Sequence, residues 1–396
     1  MKPAVLMIAY ACNPEGGGEH WLGWGWAVQA ARNYSVHLIT TPNARHQVEQ
    51  HAPRYGITPH FVAPPDAGRW GRKMGWQARV MKRVVELHAR EKFQIVHQTT
   101  FHTFRVPFLA AGLGIPSVWG PVAGGEFVPP GFGRDLGLAR FGEFGRRLVN
   151  HLWLLHPKIR GSLANAGAIF VSNRTTLNFL PVFVHRKCVI VPPNALRPED
   201  EHYPEPQVRP VLDDFRLLYV GNCVATRALP LVFDVVRQPK MSGVKLTVVG
   251  AGPAVKRWKR IAADLLPAGA VEFAGQVARE RLPEFYRRAH ALVFPALRDS
   301  GGSALLEAMA RGVPVICLDW GGPGEMVDEA SGYRIAVRDR AETVAGLAAA
   351  ITELRGAPER GLAMARSARA RALNLFRWDT RAELLKQTYQ RLIPGA

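Results

Sequence analysis

Short apolar runs alternate with helical stretches along the chain, in two sets that meet at a crowd of prolines. In the first set Val5–Ala9 leads through a glycine-rich loop into a helical pattern from Glu19 to Arg32, and Val36–Thr40 reads as the next strand. Strand candidates at Ile95–Val96, Ser117–Trp119 and Ala168–Val171 alternate with further helical segments, the pattern of a parallel sheet wrapped by helices. Pro192, Pro193, Pro198, Pro204, Pro206 and Pro210 then gather among polar residues, a composition that suits an exposed, stiff linker. Beyond it the alternation restarts, with strands at Arg216–Val220, Lys245–Val249, Val271–Phe273, Ala291–Phe294 and Pro314–Cys317 and helices that include Ser303–Arg311. The expected fold class is α/β: two Rossmann-like domains, residues 1–195 and 211–375, a Pro-rich linker at 196–210 and a closing segment at 376–396. Ligands of such sheets bind outside the carboxyl ends of the strands, and two facing domains put the site in the cleft between them.

A chain of 396 residues, 47% hydrophobic and 21% charged, has the size and composition for two ordinary globular cores. No apolar run reaches the length of a membrane span and the start carries no signal-peptide pattern, so a cytoplasmic location is expected. Cys12, Cys188, Cys223 and Cys317 form no CxxC pair and read as buried free thiols, not as a zinc site or a disulfide framework.

The formal charge of +19 implies attraction to a polyanion: nucleic acid, anionic lipid or a phosphorylated substrate. Placement decides among them. From Gly68 to Phe93, eight basic residues face two acidic ones, interleaved with Trp70, Met74, Trp76, Val80, Met81, Val84 and Leu87, and the stretch reads as an interfacial helix. The alternative is a solvated helix that covers its own domain. A second segment, Phe132 to Arg160, mixes Arg134, Arg140, Arg146, Arg147, Lys158 and Arg160 with Phe141, Phe144, Leu148, Trp153, Leu154 and Leu155. The partner expected for both is an anionic membrane surface, met on the inner face of the cell membrane. Nucleic acid is not expected, because no DNA or RNA motif accompanies the charge.

The chemistry concentrates between Arg298 and Ile316. A strand ending at Phe294-Pro295 passes through Arg298-Asp299-Ser300-Gly301-Gly302 into a helix from Ser303, whose first turn is an anion site by its N–H groups and dipole. Asp299 lies in the loop and Glu307 two turns into the helix, so one carboxylate can accept from a sugar hydroxyl and the other from a ribose diol. The structural alternative makes Asp299 a cap and Glu307 the buried partner of an arginine. In the first half, Asn13-Pro14-Glu15-Gly16-Gly17-Gly18-Glu19-His20 joins strand to helix and lets glycine backbone approach a ligand.

The segment from Arg298 to Ile316 resembles the signature of glycosyltransferase family 4, retaining GT-B enzymes in which two acidic residues separated by seven others precede an Ala-Met-Ala-x-Gly-x-Pro-Val run. Asp299 stands where that family usually has Glu. The resemblance implies that Asp299 faces the donor sugar, that Ser300, Gly301, Gly302 and Ser303 line the phosphates through their backbone, and that Glu307 holds the ribose. It extends to the turn at Gly250 in Val248–Pro253, and to Phe273-Ala274-Gly275-Gln276-Val277, followed by Leu282 and Tyr286, where Gln276 and Val277 are implied at the base. Gly221-Asn222 and Arg227 stand where the family shows Gly-Arg and then Lys gripping the diphosphate, so Arg227 is the remaining cation. Gly17 and Gly18 are implied contacts of the first loop. Val96-His97-Gln98-Thr99 resembles the Val-His-x-His element, which makes His97 the leading catalytic histidine with His102 as fallback. Glu19, His102 and Glu126, the last in Gly120–Glu126, fall on the acceptor side, and the closing segment is expected to return as a helix to the first domain.

The resemblance implies a metal-independent, retaining glycosyltransferase without cofactor: residues 1–195 take the acceptor and 211–375 the UDP- or GDP-sugar. No DxD-type motif is placed for a divalent ion. Catalytic candidates are His97, Arg227, Asp299 and Glu307. With the membrane-seeking segments, the acceptor expected is a lipid-linked or polysaccharide glycan in exopolysaccharide or lipopolysaccharide biosynthesis. The rival readings are a nucleotide-sugar epimerase, and a non-catalytic homologue that binds a sugar nucleotide or a partner, motivated by Asn222 and Thr99.

Overall fold

The computed structural model describes residues 2–209 and 214–393. Pro210, the last linker proline, residues 211–213 at the expected opening of the second domain, and residues 394–396 of the closing segment lie outside the described residues. The chain divides into two units. The first takes residues 2–126, 147–195 and 378–393; the second takes 127–146 and 196–377.

The first unit is built on a seven-stranded sheet: β1 (Ala4–Ala9), β2 (Ser35–Thr40), β3 (Ile57–Phe61), β4 (Ile95–Thr100), β5 (Ser117–Val122), β6 (Ala168–Val171) and β7 (Cys188–Ile190), in the order β3-β2-β1-β4-β5-β6-β7. Every pairing is parallel. Because successive residues of a strand point to opposite faces, Val5, Met7 and Ala9 enter one core and Leu6 and Ile8 the other, which is why β1 reads as an unbroken apolar run. The first face is covered by the helix Glu19–Ala31 and by the helix Trp378–Leu392, whose Trp378, Leu385 and Tyr389 are buried there. A Cβ on Gly25 would stand 2.2 Å from the Trp378 ring, so only glycine lets these two helices approach so closely. The helix Arg69–Glu91 covers the other face and buries Trp76, Val80, Val84 and Leu87 in the core. That corrects the interfacial reading of this stretch: its apolar stripe packs inward, and the basic residues are its solvated side.

The second unit holds six parallel strands, β8 (Phe215–Val220), β9 (Val244–Val249), β10 (Val271–Gly275), β11 (Ala291–Phe294), β12 (Val315–Leu318) and β13 (Gly332–Ile335), ordered β10-β9-β8-β11-β12-β13. Residues 127–146, expected with the first domain, belong here. Phe132 is buried in this core, and the buried Asp135 carboxylate pairs with Arg340. Residues 196–209 likewise belong to this unit and are not a separate linker. Leu196 is buried in the core, and Asp200, on the short helix Pro198–Glu201, is buried with its carboxylate bound to Arg311 at 2.6 Å and Arg279 at 3.2 Å.

Among the described residues, no helix is long and apolar enough to cross a membrane.

Candidate functional site

In both sheets the order reverses next to the first strand of the set, between β1 and β4 and between β8 and β11, and loops at the carboxyl ends of these strands diverge to leave room for a ligand. Apart from His97, the expected residues lie at or beyond the carboxyl ends of the strands.

In the second unit Gly221 and Asn222 follow β8, Gly250 follows β9, Gln276 and Val277 follow β10, and the loop 295–302 follows β11. Gly250 has a φ of 140° and a Cβ there would lie 1.9 Å from the Gly221 carbonyl oxygen, so this close crossing of two loops requires glycine. Asn222 and Gln276 are exposed, while Val277 packs partly against the core. Arg227 reaches Asp299 in an ion pair, donates to the Arg298 carbonyl at 3.1 Å, and lies over the Phe294 ring with its guanidinium carbon 5.2 Å from the centroid. Asp299 Oδ1 also accepts from the N–H groups of Gly301 at 2.9 Å and Gly302 at 3.0 Å. Two of the four backbone donors expected to face phosphate are therefore held by Asp299. Ser303 opens the eight-residue helix Ser303–Ala310.

Glu307, on that helix, is fully engaged. Its Oε1 accepts from Arg279 Nη1 at 3.1 Å and its Oε2 from the Tyr286 hydroxyl at 3.0 Å. Burial, with the Glu307 carboxylate beside it, holds the Tyr286 hydroxyl protonated well beyond the ordinary tyrosine range. Arg279 bridges Glu307 to Asp200, and Arg311 closes the network from Asp200 to the Glu307 carbonyl. Arg279, Tyr286 and Asp200 escaped the sequence reading because each lies far along the chain from Glu307. The one available signal was Tyr286, noted downstream of Gln276 for its place in the resemblance and not for its hydroxyl.

In the first unit, Gly17 and Gly18 stand in an exposed loop after β1 with open space where a side chain would be. Glu19 opens the following helix, and its Oε1 accepts from the His102 N–H at 2.7 Å, so these two candidates do come together. Burial lowers the pKa of His102, opposed by the carboxylates of Glu19 and Glu126. Its Nε2 has no hydrogen-bond partner among the described residues. Glu126 is buried and accepts from the Gly124 N–H at 2.9 Å, from Asn173 Nδ2 at 2.7 Å and from Thr176 Oγ1 at 3.0 Å. Asn173 and Thr176, missed in the sequence, begin the short helix after β6, where Asn173 caps the Thr176 N–H; the Asn-x-x-Thr spacing behind a strand was the legible sign.

His97 is not part of this group. It sits inside β4 with no exposure, Nε2–H donating to the Gly120 carbonyl at 2.8 Å and Nδ1 bound to the Tyr389 hydroxyl at 2.6 Å. Burial pushes its pKa down to about 4, against the raising effect of the Gly120 hydrogen bond. A ring with both nitrogens occupied and no access to solvent has no proton to exchange with a substrate, which corrects the catalytic assignment: His97 is a core residue. Thr99 is equally buried, its hydroxyl turned to the Ile8 carbonyl at 3.4 Å.

Comparison with known proteins agrees with the second unit's architecture. Residues 205–371, less than half of the chain, match the family described as "Glycosyl transferases group 1". A GDP-mannose-dependent alpha-(1-6)-phosphatidylinositol monomannoside mannosyltransferase of Mycobacterium tuberculosis is 32% identical over 172 residues, 42% of this chain and 43% of that protein. The chain thus aligns with less than half the length of such curated relatives. Over full length it resembles the sucrose-phosphate synthase of Thermosynechococcus elongatus, with a TM-score of 0.72, 19% identity and 100% of both chains covered. It also resembles Anabaena HepE in complex with UDP-glucose, with a TM-score of 0.64, 14% identity and coverage of 98% of this chain and 100% of that one. The chain has the two Rossmann-like sheets of the GT-B glycosyltransferase fold, and the sequence of its second unit is similar to group 1 glycosyl transferases.

Proposed function

We propose that the chain is a retaining, metal-independent glycosyltransferase that binds a UDP- or GDP-sugar at the carboxyl ends of β8–β11 and transfers the sugar to a glycan received near Glu19, His102 and Glu126. The observation that carries the reading is the meeting of Arg227, Asp299 and the glycine loop before Ser303, with Glu307 two turns on, inside the stretch similar to group 1 glycosyl transferases. Breaking the anomeric bond loads charge on the departing diphosphate, and fixed dipoles and cations can stabilise it without reorganising. In the structure Arg227 is paired with Asp299. A diphosphate carries more charge than one carboxylate and would draw the guanidinium to itself. Asp299 would then release the Gly301 and Gly302 N–H groups to phosphate oxygens and turn its carboxylate to a sugar hydroxyl. Glu307 would exchange Arg279 and Tyr286 for the ribose diol in the same way. No side chain is assigned as nucleophile.

The acceptor in this proposal is a lipid-linked glycan of surface polysaccharide assembly, favoured by the excess of basic charge. The reading is tested by thermal melts with UDP, GDP, ADP and dTDP and their common sugars, because a ligand of the folded state raises its melting temperature. Stabilisation by one nucleotide, lost in Glu307→Ala, supports the donor site and names the base. No shift at saturating concentration of any of them sinks it and favours a non-catalytic homologue, a rival supported by the exposed, uncharged Asn222.

A further inference from the structure

The helix Ala139–Leu155 is packed with its polar residues inward. Asn150 is buried and bonded to Arg105 and to the Gly124 carbonyl, and Glu143 is paired with Arg298 at 2.9 Å. The opposite face is apolar and open. Leu138, Phe141, Phe144, Leu148, Leu152 and Leu155 recur at every third or fourth position, hence on one side of the helix, and each is more than half exposed; Phe144 reaches 77%. Scattered exposed leucines are ordinary, but a contiguous stripe of six large side chains is the mark of a docking surface.

Its surroundings say what docks. Arg140, Arg147, Lys158 and Arg160 are exposed along the helix and its continuation, and from 139 to 160 the sole acidic residue is Glu143, already paired. Within the first unit the patch widens. Trp153 stacks on the half-exposed Trp70 with ring centroids 5.9 Å apart, and Lys73 lies 5.8 Å over Trp70. The His151 ring meets Phe179 at 4.9 Å, a few residues before the exposed Val182, Phe183 and Arg186. Apolar side chains in the middle, indole rings at the edge and cations around them fit the headgroup layer of an anionic bilayer, in which such a helix lies in the plane of the interface. A second copy fits poorly. A two-fold contact along the stripe would bring the rows of arginine and lysine of both chains together.

We propose that this face of the Ala139–Leu155 helix, with Trp70, Val182 and Phe183, seats the protein on an anionic lipid surface. The inference stands apart from the transfer chemistry and needs nothing from the donor site.

Co-sedimentation of the full chain with vesicles of phosphatidylcholine alone, and of phosphatidylcholine and phosphatidylglycerol in equal parts, tests it, alongside the variant F144S/L148S/L152S. These three side chains are exposed, so the variant should melt as the wild type does and keep any nucleotide-induced shift, which separates this test from that of the donor site. The expected result is binding to the phosphatidylglycerol vesicles, weak binding to phosphatidylcholine alone, and a loss of at least about tenfold in the variant. Failure to bind the anionic vesicles, or equal binding by the variant, overturns the proposal. So does a stripe-dependent dimer in sedimentation velocity without vesicle binding, or stripe-dependent capture of an acidic protein without it.

Discussion

Arg227 and Asp299 hold each other in an ion pair, so neither can be removed without leaving its partner's charge poorly compensated. If the diphosphate takes over Arg227 as proposed, Arg227→Ala should lower kcat/KM by about a hundredfold or more, the typical loss for one charge-stabilising donor, and Arg227→Lys should recover part of it; steady-state kinetics measures both. Glu307 suggests a further selectivity. Two donors, Arg279 and the Tyr286 hydroxyl, satisfy its carboxylate now, and a ribose replaces them with two hydroxyls where a 2′-deoxyribose has one. His97 gives a prediction about stability instead. Its folded pKa of about 4 lies below the ordinary histidine value of 6.5, so between these values the unfolded chain binds the extra proton. The stability contributed is present above pH 6.5 and is lost as the pH falls toward 4, by roughly 3 kcal/mol in full. Urea denaturation across that window should show His97→Gln losing less stability on acidification than the wild type. Asp299, Glu307 and Arg227 were legible because their spacing around a glycine loop is local. His97 was misread because residue type announces a titrating group, whereas burial beneath Tyr389 is decided almost three hundred positions away.

At the level of elements, the strands absent from the sequence reading were β3, β7 and β13, and each is an edge of its sheet. An edge strand is covered on fewer sides and needs no continuous apolar run. β3 even carries Pro59, which an edge tolerates because a ladder donor is dispensable there. The central strands, buried on both faces, announced themselves. The two basic aromatic stretches show a limit of the same kind: both read as amphipathic, but a sequence gives the period of a stripe without saying which way it faces. Arg69–Glu91 turns its stripe into the core and Ala139–Leu155 turns its own outward. The proline-rich stretch misled through composition, because Asp200 binds Arg311 and Arg279 in a position that proline count cannot reveal. Asp200→Ala would leave the nearly buried Arg311 without its carboxylate, at a cost of about 3 kcal/mol in chemical denaturation. An exposed linker residue would cost close to nothing.

For the molecule as a whole, the two units have separate cores, and the proposed donor residues lie at one end of one sheet. Hydrogen exchange should report this. A bound nucleoside diphosphate should protect amides at 221–228 and 299–311, slowing exchange up to about a hundredfold when the ligand is at a hundred times its Kd. The amides of β2, β3 and β7 should not change; protection confined to the first unit would displace the donor site from the second.

The helix Trp378–Leu392 closes the core of a unit that otherwise ends at Ala195, while the second unit is complete at Arg377. During synthesis the order of completion is therefore the reverse of the order of translation. The unit begun first, with Trp26 and His97 awaiting Trp378 and Tyr389, stays open until after its successor has been made, and on the nascent chain this sheet face lacks the second of its two covering helices until residues 378–392 emerge.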